Sequence, residues 1–92
     1  MSKVMFFYLE KCPYCKQARR AMDELKAEDA KYGTVEMEQI EESQQPDVAD
    51  QYDYYNVPTM FLDGEKLYEA KPKESYEECL ANVRRVLDAA LA

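Results

Sequence analysis

Two thiols stand three positions apart in the run Cys12-Pro13-Tyr14-Cys15. An apolar stretch from Val4 to Leu9, patterned as a β-strand, precedes them, and a stretch patterned as a helix follows. A C-x-x-C pair at a strand-to-helix junction suits a redox dithiol. Cys12 falls at the helix N-cap and Pro13 at the first helical position, where the missing N–H costs nothing. The free amides of the first turn and the positive end of the helix dipole then point at the Cys12 sulfur. Both favour the thiolate, which is the nucleophile in disulfide exchange. Cys15, one helical turn away, is close enough to close the disulfide.

The charge around this pair differs from that of the rest of the chain. Residues 1–20 carry Lys3, Lys11, Lys16, Arg19 and Arg20 against Glu10 alone, whereas residues 21–92 carry seven basic and eighteen acidic side chains. A helix N-terminus prefers acids, so helix stability does not ask for these cations. A thiolate or an anionic thiol substrate does, and Lys11 beside Cys12 favours the anion. The alternative is that Arg19–Asp23 and Arg20–Glu24 are ordinary i,i+4 surface pairs, and both readings can hold together.

Ninety-two residues make one small domain, 1–92, and 47% hydrophobic content supports one core. The net charge of −7 speaks against nucleic acid as a partner. No apolar run is long enough to span a membrane. The first residues begin like a signal peptide but lack its apolar length and cleavage site, and Glu10 and Lys11 interrupt them. Three cysteines fit a reducing compartment. A cytoplasmic monomer is the expectation. Structural zinc asks for four Cys or His ligands; with no histidine and one further cysteine, Cys79, no metal site is expected.

The elements that must position the dithiol follow from periodicity. Residues 3–9 read as a strand buried on both faces. Tyr14, Ala18, Ala21, Met22 and Leu25 make one stripe of a helix over 13–31, ended by Gly33. Residues 34–40 alternate as a second strand, and a short helix is expected over roughly 46–54, with Val48, Tyr52 and Tyr55 at helical spacing. Met60 to Leu62 reads as a strand, Asp63-Gly64 as a two-residue hairpin turn, and Lys66 to Ala70 as the returning strand. Ser75-x-x-Glu78 is a capping box opening a last helix, whose stripe is Tyr76, Cys79, Leu80, Val83, Val86, Leu87 and Leu91. The order is β-α-β-α-β-β-α. The first two strands are expected to be parallel through a right-handed crossover, and the last two to form an antiparallel hairpin.

With Cys12-Pro13-Tyr14-Cys15, then Val57-Pro58-Thr59, then Phe61-Leu62-Asp63-Gly64, the chain resembles a glutaredoxin of the thioredoxin-like superfamily over almost its whole length. The resemblance implies an α/β fold with a four-stranded mixed sheet flanked by helices. It also implies a cis peptide before Pro58 and thiol–disulfide oxidoreductase activity. Cys12 and Cys15 would be catalytic. Val57 would offer its backbone to a substrate segment as a short added strand. Tyr14 would flank the sulfur, and Thr59 would help hold the docked segment. The first strand begins near the N-terminus, the intervening dipeptide is Pro-Tyr, and Phe6 stands where thioredoxins carry a buried Asp; these favour the glutaredoxin branch. One departure stands out. Glutaredoxins follow the hairpin with Gly-Gly, which helps hold glutathione, whereas this chain has Glu69-Ala70-Lys71-Pro72-Lys73. Pro72 removes an N–H donor there, and Lys71 and Lys73 offer positive charge instead.

No bound cofactor is implied, and glutathione is a candidate co-substrate alongside disulfide-containing proteins. Two alternatives are a thioredoxin-type reductant served by a flavoprotein reductase and a redox-responsive adaptor domain with little turnover. Cys79, on an apolar stripe, reads as a small buried hydrophobe. Tyr52 and Tyr55 are expected to pack the short helix on the sheet, leaving Tyr54 exposed.

Overall fold

The computed structural model describes residues 2–92, so Met1 of the expected 1–92 domain lies outside the described residues. The elements are β1 (Lys3–Tyr8), α1 (Pro13–Glu28), a 3-10 helix (Ala30–Thr34), β2 (Glu36–Glu41), α2 (Pro46–Ala49), β3 (Thr59–Leu62), β4 (Glu65–Glu69) and α3 (Tyr76–Leu91). The sheet order is β2-β1-β3-β4. β1 and β2 run parallel, while β1–β3 and β3–β4 are antiparallel. This is the expected thioredoxin-like α/β architecture.

β1 lies in the interior of the sheet, and both of its faces are apolar. Val4 and Phe6 join Ala18, Ala21, Met22 and Leu25 of α1 and Cys79, Val83, Val86 and Leu87 of α3 in one core. Phe7, on the opposite face, joins Ile40 and Phe61 under Val48, Ala49, Tyr52 and Tyr54. Phe6 and Phe7 are fully buried, each worth roughly 1.5–3 kcal/mol of transfer free energy. The two layers hold β1 from above and below, and the chain leaves its end at Tyr8 straight into the Cys12 turn.

The capping box forms as read: Glu78 N–H donates to Ser75 Oγ at 3.1 Å, and Ser75 N–H to Glu78 Oε1 at 3.0 Å. The hairpin turn also forms, with Asp63 at φ 50° and Gly64 at φ 91°, the positive pair that a two-residue hairpin requires.

Four local expectations need correction. α1 stops at Glu28, before the expected 31, because Asp29 turns to extended backbone (φ −151°) and accepts from Lys31 N–H to start the 3-10 helix. Gly33 sits inside that second element. α2 has four residues, not nine, so helical spacing does not govern the tyrosines after it. The chain there buries alternate residues instead. Tyr52 and Tyr54 lie 4.8 and 5.0 Å from Phe7, ring to ring, and Tyr55 is the exposed one at 90%. Finally, Arg19 and Arg20 stack over the rings of Tyr8 and Tyr76 at 4.1 and 4.3 Å. Among the described residues neither makes the expected i,i+4 ion pair.

Candidate active site

The sheet and α1 meet at Cys12. It is the N-cap residue of α1 in extended conformation, with Pro13 opening the first turn. The Cys15 amide donates to Cys12 Sγ at 3.4 Å, so a first-turn N–H does aim at this sulfur. The Cys12 thiol in turn lies 3.8 Å from the Val57 carbonyl oxygen, to which it donates. A contact between residues 45 apart in sequence thus brings the dithiol and the Val57-Pro58-Thr59 motif together. Neither cysteine is in a disulfide.

The two sulfurs live in different surroundings. Cys12 is half-buried, whereas Cys15 is 1% exposed and lies under the first turn. Burial pushes the Cys15 thiol up to about 12, outweighing the Leu9 amide that donates to its sulfur at 3.4 Å. The neighbouring Cys12 raises it further. Cys15 is therefore held protonated and out of solvent in the reduced state, while Cys12 reaches the surface.

The peptide between Val57 and Pro58 is cis. Pro58 and Thr59 are buried, and the Pro58 carbonyl accepts from Ala70 N–H at 2.9 Å. Val57 is half-buried, and its N–H has no partner among the described residues. The Thr59 hydroxyl donates to the Asn56 carbonyl. It is fully buried, so it ties the loop before Pro58 without itself reaching the surface.

Two clefts flank Cys12. One, of about 240 Å³, is lined by Tyr14, Asn56, Val57, Ala70, Lys71, Pro72 and Lys73. Its rim is tied down: Lys73 N–H donates to the Tyr14 hydroxyl oxygen at 2.9 Å, and Lys71 Nζ lies 3.3 Å from Glu78 Oε2. The Glu74 carbonyl, which follows, accepts from Gln17 Nε2 at 3.4 Å. The other cleft, of about 540 Å³, includes Leu9, Glu10, Lys11, Cys12 and Glu41. Lys11 is exposed at its rim and makes no ion pair among the described residues. Of the residues singled out from the sequence, Cys15 and Val57 contact Cys12 Sγ, Lys11 shares the larger cleft with it, Tyr14 and Val57 line the smaller one, and Pro58 and Thr59 are buried directly after Val57. Cys79 lies apart, fully buried among core residues.

Sequence reasoning missed the groups that hold this site together. Tyr68 donates to the buried Glu74 carboxylate and lies 3.4 Å from Cys79 Sγ. Glu69 accepts from two amides of the segment before Pro58. Neither carboxylate follows a spacing rule. The one available signal was a pair of acids beside the loop that stands in place of Gly-Gly.

Comparison with known proteins bears on this geometry. Two solved structures superpose on nearly the whole chain. One, described as a malarial protein, gives a TM-score of 0.62 at 18% identity, covering 92% of this chain and 96% of its own. Thioredoxin 1 from the thermophilic eubacterium Thermosipho africanus gives 0.59 at 18% identity, covering 98% and 99%. At such identities these likenesses speak to the fold. No curated protein sequence matches the chain. The family profile described as Glutaredoxin matches residues 4–67, from β1 through the dithiol and the Val57-Pro58 loop into β4. With that match over most of its length, this chain belongs to the glutaredoxin family.

Proposed function

We propose that this protein is a dithiol oxidoreductase that reduces disulfides through Cys12 and Cys15. The Cys12 thiolate attacks one sulfur of a substrate disulfide, forming a mixed disulfide and expelling the other sulfur as a thiolate. Cys15 then loses its proton and attacks Cys12. The Cys12–substrate bond breaks, the second substrate thiol leaves, and a Cys12–Cys15 disulfide remains. A reductant must return two electrons to restore the dithiol. The incoming segment pairs with the free Val57 N–H and its carbonyl, as a short added strand. Lys11 and Tyr14 border the sulfur on either side.

The observation that supports this most is the position of Cys12 Sγ, half-exposed between the Cys15 amide at 3.4 Å and the Val57 carbonyl at 3.8 Å. The nucleophile and a docking backbone share one point. Glutathione is the co-substrate that family membership favours. A second reading, a thioredoxin-type reductant of polypeptide disulfides served by a flavoprotein reductase, draws on the loop in place of Gly-Gly. There the Lys73 amide is already given to Tyr14, Pro72 has none to offer, and Lys71 is paired with Glu78. We place the protein in the cytoplasm as a monomer, a setting in which its thiols stay reduced.

Coupled assays on a polypeptide disulfide separate the readings. Turnover sustained by glutathione with its reductase supports the first, and turnover sustained by thioredoxin reductase alone supports the second. Cys12→Ser is expected to abolish both. Turnover in that variant equal to the native protein's would refute the assignment of Cys12, and binding of a partner without any turnover would support an adaptor role instead.

A further inference from the structure

The backbone that carries Val57 belongs to no regular element. Between Ala49 and Thr59 the chain has neither strand nor helix, so no ladder fixes it, and an unfixed segment pays its ordering entropy when a substrate pairs with it. One carboxylate replaces the ladder. Glu69, the last residue of β4, accepts from Tyr55 N–H and from Asn56 N–H with a single oxygen, Oε2, both at 2.7 Å. Its other oxygen lies 2.7 Å from Lys66 Nζ. Amide bonds to a charged acceptor are short and strong.

The placement follows from the sheet register. Glu69 stands opposite Thr59 in the β3–β4 ladder, level with the cis peptide. Asn56 is held at its N–H by Glu69 and at its carbonyl by the Thr59 hydroxyl. Pro58 is held at its carbonyl by Ala70 N–H. Val57 therefore sits between two anchored residues. Its own N–H has no partner among the described residues, and its carbonyl lies 3.8 Å from Cys12 Sγ. Burial works to raise the Glu69 carboxyl, but Lys66 and the two amides outweigh it and hold it below the usual carboxylate range. The clamp is thus charged at neutral pH.

We propose that Glu69 is a positioning residue for substrate capture, fixing the Val57 peptide beside Cys12 so that an incoming polypeptide disulfide meets a pre-ordered edge. The proposal rests on the reading of Val57 as the docking backbone. Glu69 itself touches neither sulfur and acts through the loop. The competing account is an ordinary Lys66–Glu69 surface pair, which is worth little. The two accounts part on which variant matters. Removing Lys66 spares the amide bonds, whereas removing the carboxylate breaks them.

Three substitutions and three readouts test this: Glu69→Ala, Glu69→Gln and Lys66→Met, each followed by amide hydrogen exchange, steady-state kinetics on a polypeptide disulfide, and alkylation of Cys12 by iodoacetamide. In Glu69→Ala the Tyr55 and Asn56 amides exchange at least about tenfold faster, as expected for the loss of bonds to a charged acceptor. Exchange in β3 stays unchanged. KM rises about tenfold with kcat within about twofold, and Cys12 alkylation keeps its rate, since only capture is lost. Glu69→Gln falls between, because its amide oxygen keeps both bonds without the charge. Lys66→Met stays close to the native protein. Native exchange at both amides in Glu69→Ala, or a KM for Lys66→Met as poor as that for Glu69→Ala, overturns the proposal. So does an effect confined to kcat and alkylation. A native protein with no turnover refutes the oxidoreductase reading instead, and the exchange measurement still decides the clamp.

Discussion

The difference between the two active-site thiols can be measured directly in the variant Cys12→Ser, which leaves Cys15 as the only cysteine at the site. Burial lifts the Cys15 thiol from an ordinary 9.0 to about 12. Iodoacetamide reacts with the thiolate alone. At about pH 7.5 an ordinary thiol is about 3% ionised, and one at about 12 is about 0.003% ionised, a roughly thousandfold difference from a shift of about three units. Part of the rise comes from the Cys12 sulfur, which the substitution removes, so an alkylation rate about a hundredfold to a thousandfold below that of a free cysteine is expected. The assay is peptide mass analysis after timed quenching, across pH 7 to about 11. The Cys15 rate should climb about tenfold per pH unit up to about pH 10. Labelling as fast as a free cysteine, or a plateau below about pH 9.5, would refute the claim that desolvation holds Cys15 protonated. The same cause predicts a sequence of events. Once Cys12 is capped in a mixed disulfide, the part of the rise that comes from its thiol is lost, so Cys15 becomes easier to ionise when it must attack.

Further outcomes follow from the same forces. Phe7 packs on Tyr52, Tyr54 and Phe61 with no exposure, so Phe7→Ala should cost about 3–5 kcal/mol in urea unfolding. Because the folded Cys15 value lies above the unfolded one, its neutral form contributes stability that is whole below about pH 9 and is lost as pH rises towards about 12. Urea midpoints should therefore fall above about pH 9, and fall less steeply in Cys15→Ala. The carboxyls of Glu28, Glu41, Glu69 and Glu78 are held low in the fold, so their contribution is present above the ordinary 4.5 and is lost as pH drops below it. Acid titration of stability checks that sign.

The dithiol turn and the hairpin were legible in the sequence because each follows a local rule, whereas the Val57-Pro58-Thr59 part of the site came only from the resemblance to glutaredoxins. An N-cap cysteine, a proline at the first helical position and an Asp-Gly turn each fix backbone geometry within a few residues, and the structure places all three as read. Burial of β1 on both faces was legible for the same reason. What lay hidden was non-local. The Glu69 oxygen reaches amides 13 and 14 residues back, and no periodicity encodes that. Tyr54 and Tyr55 exchanged roles because helical spacing was carried past Ala49, where the helix has ended and Tyr52 and Tyr54 pack on Phe7 while Tyr55 faces solvent. Arg19 and Arg20 looked like partners for Asp23 and Glu24. Two aromatic rings, Tyr8 from β1 and Tyr76 from α3, offered flat faces that only the fold brings near.

The central claim is that Cys12 attacks and Cys15 resolves. Its most direct test is the variant Cys15→Ser, mixed in reduced form with glutathione disulfide and, separately, with a polypeptide disulfide, then digested and weighed. A stable adduct on the peptide that carries Cys12, with Cys79 unmodified, is the predicted result. An adduct on Cys79 in place of Cys12, or no adduct with either disulfide, would contradict it.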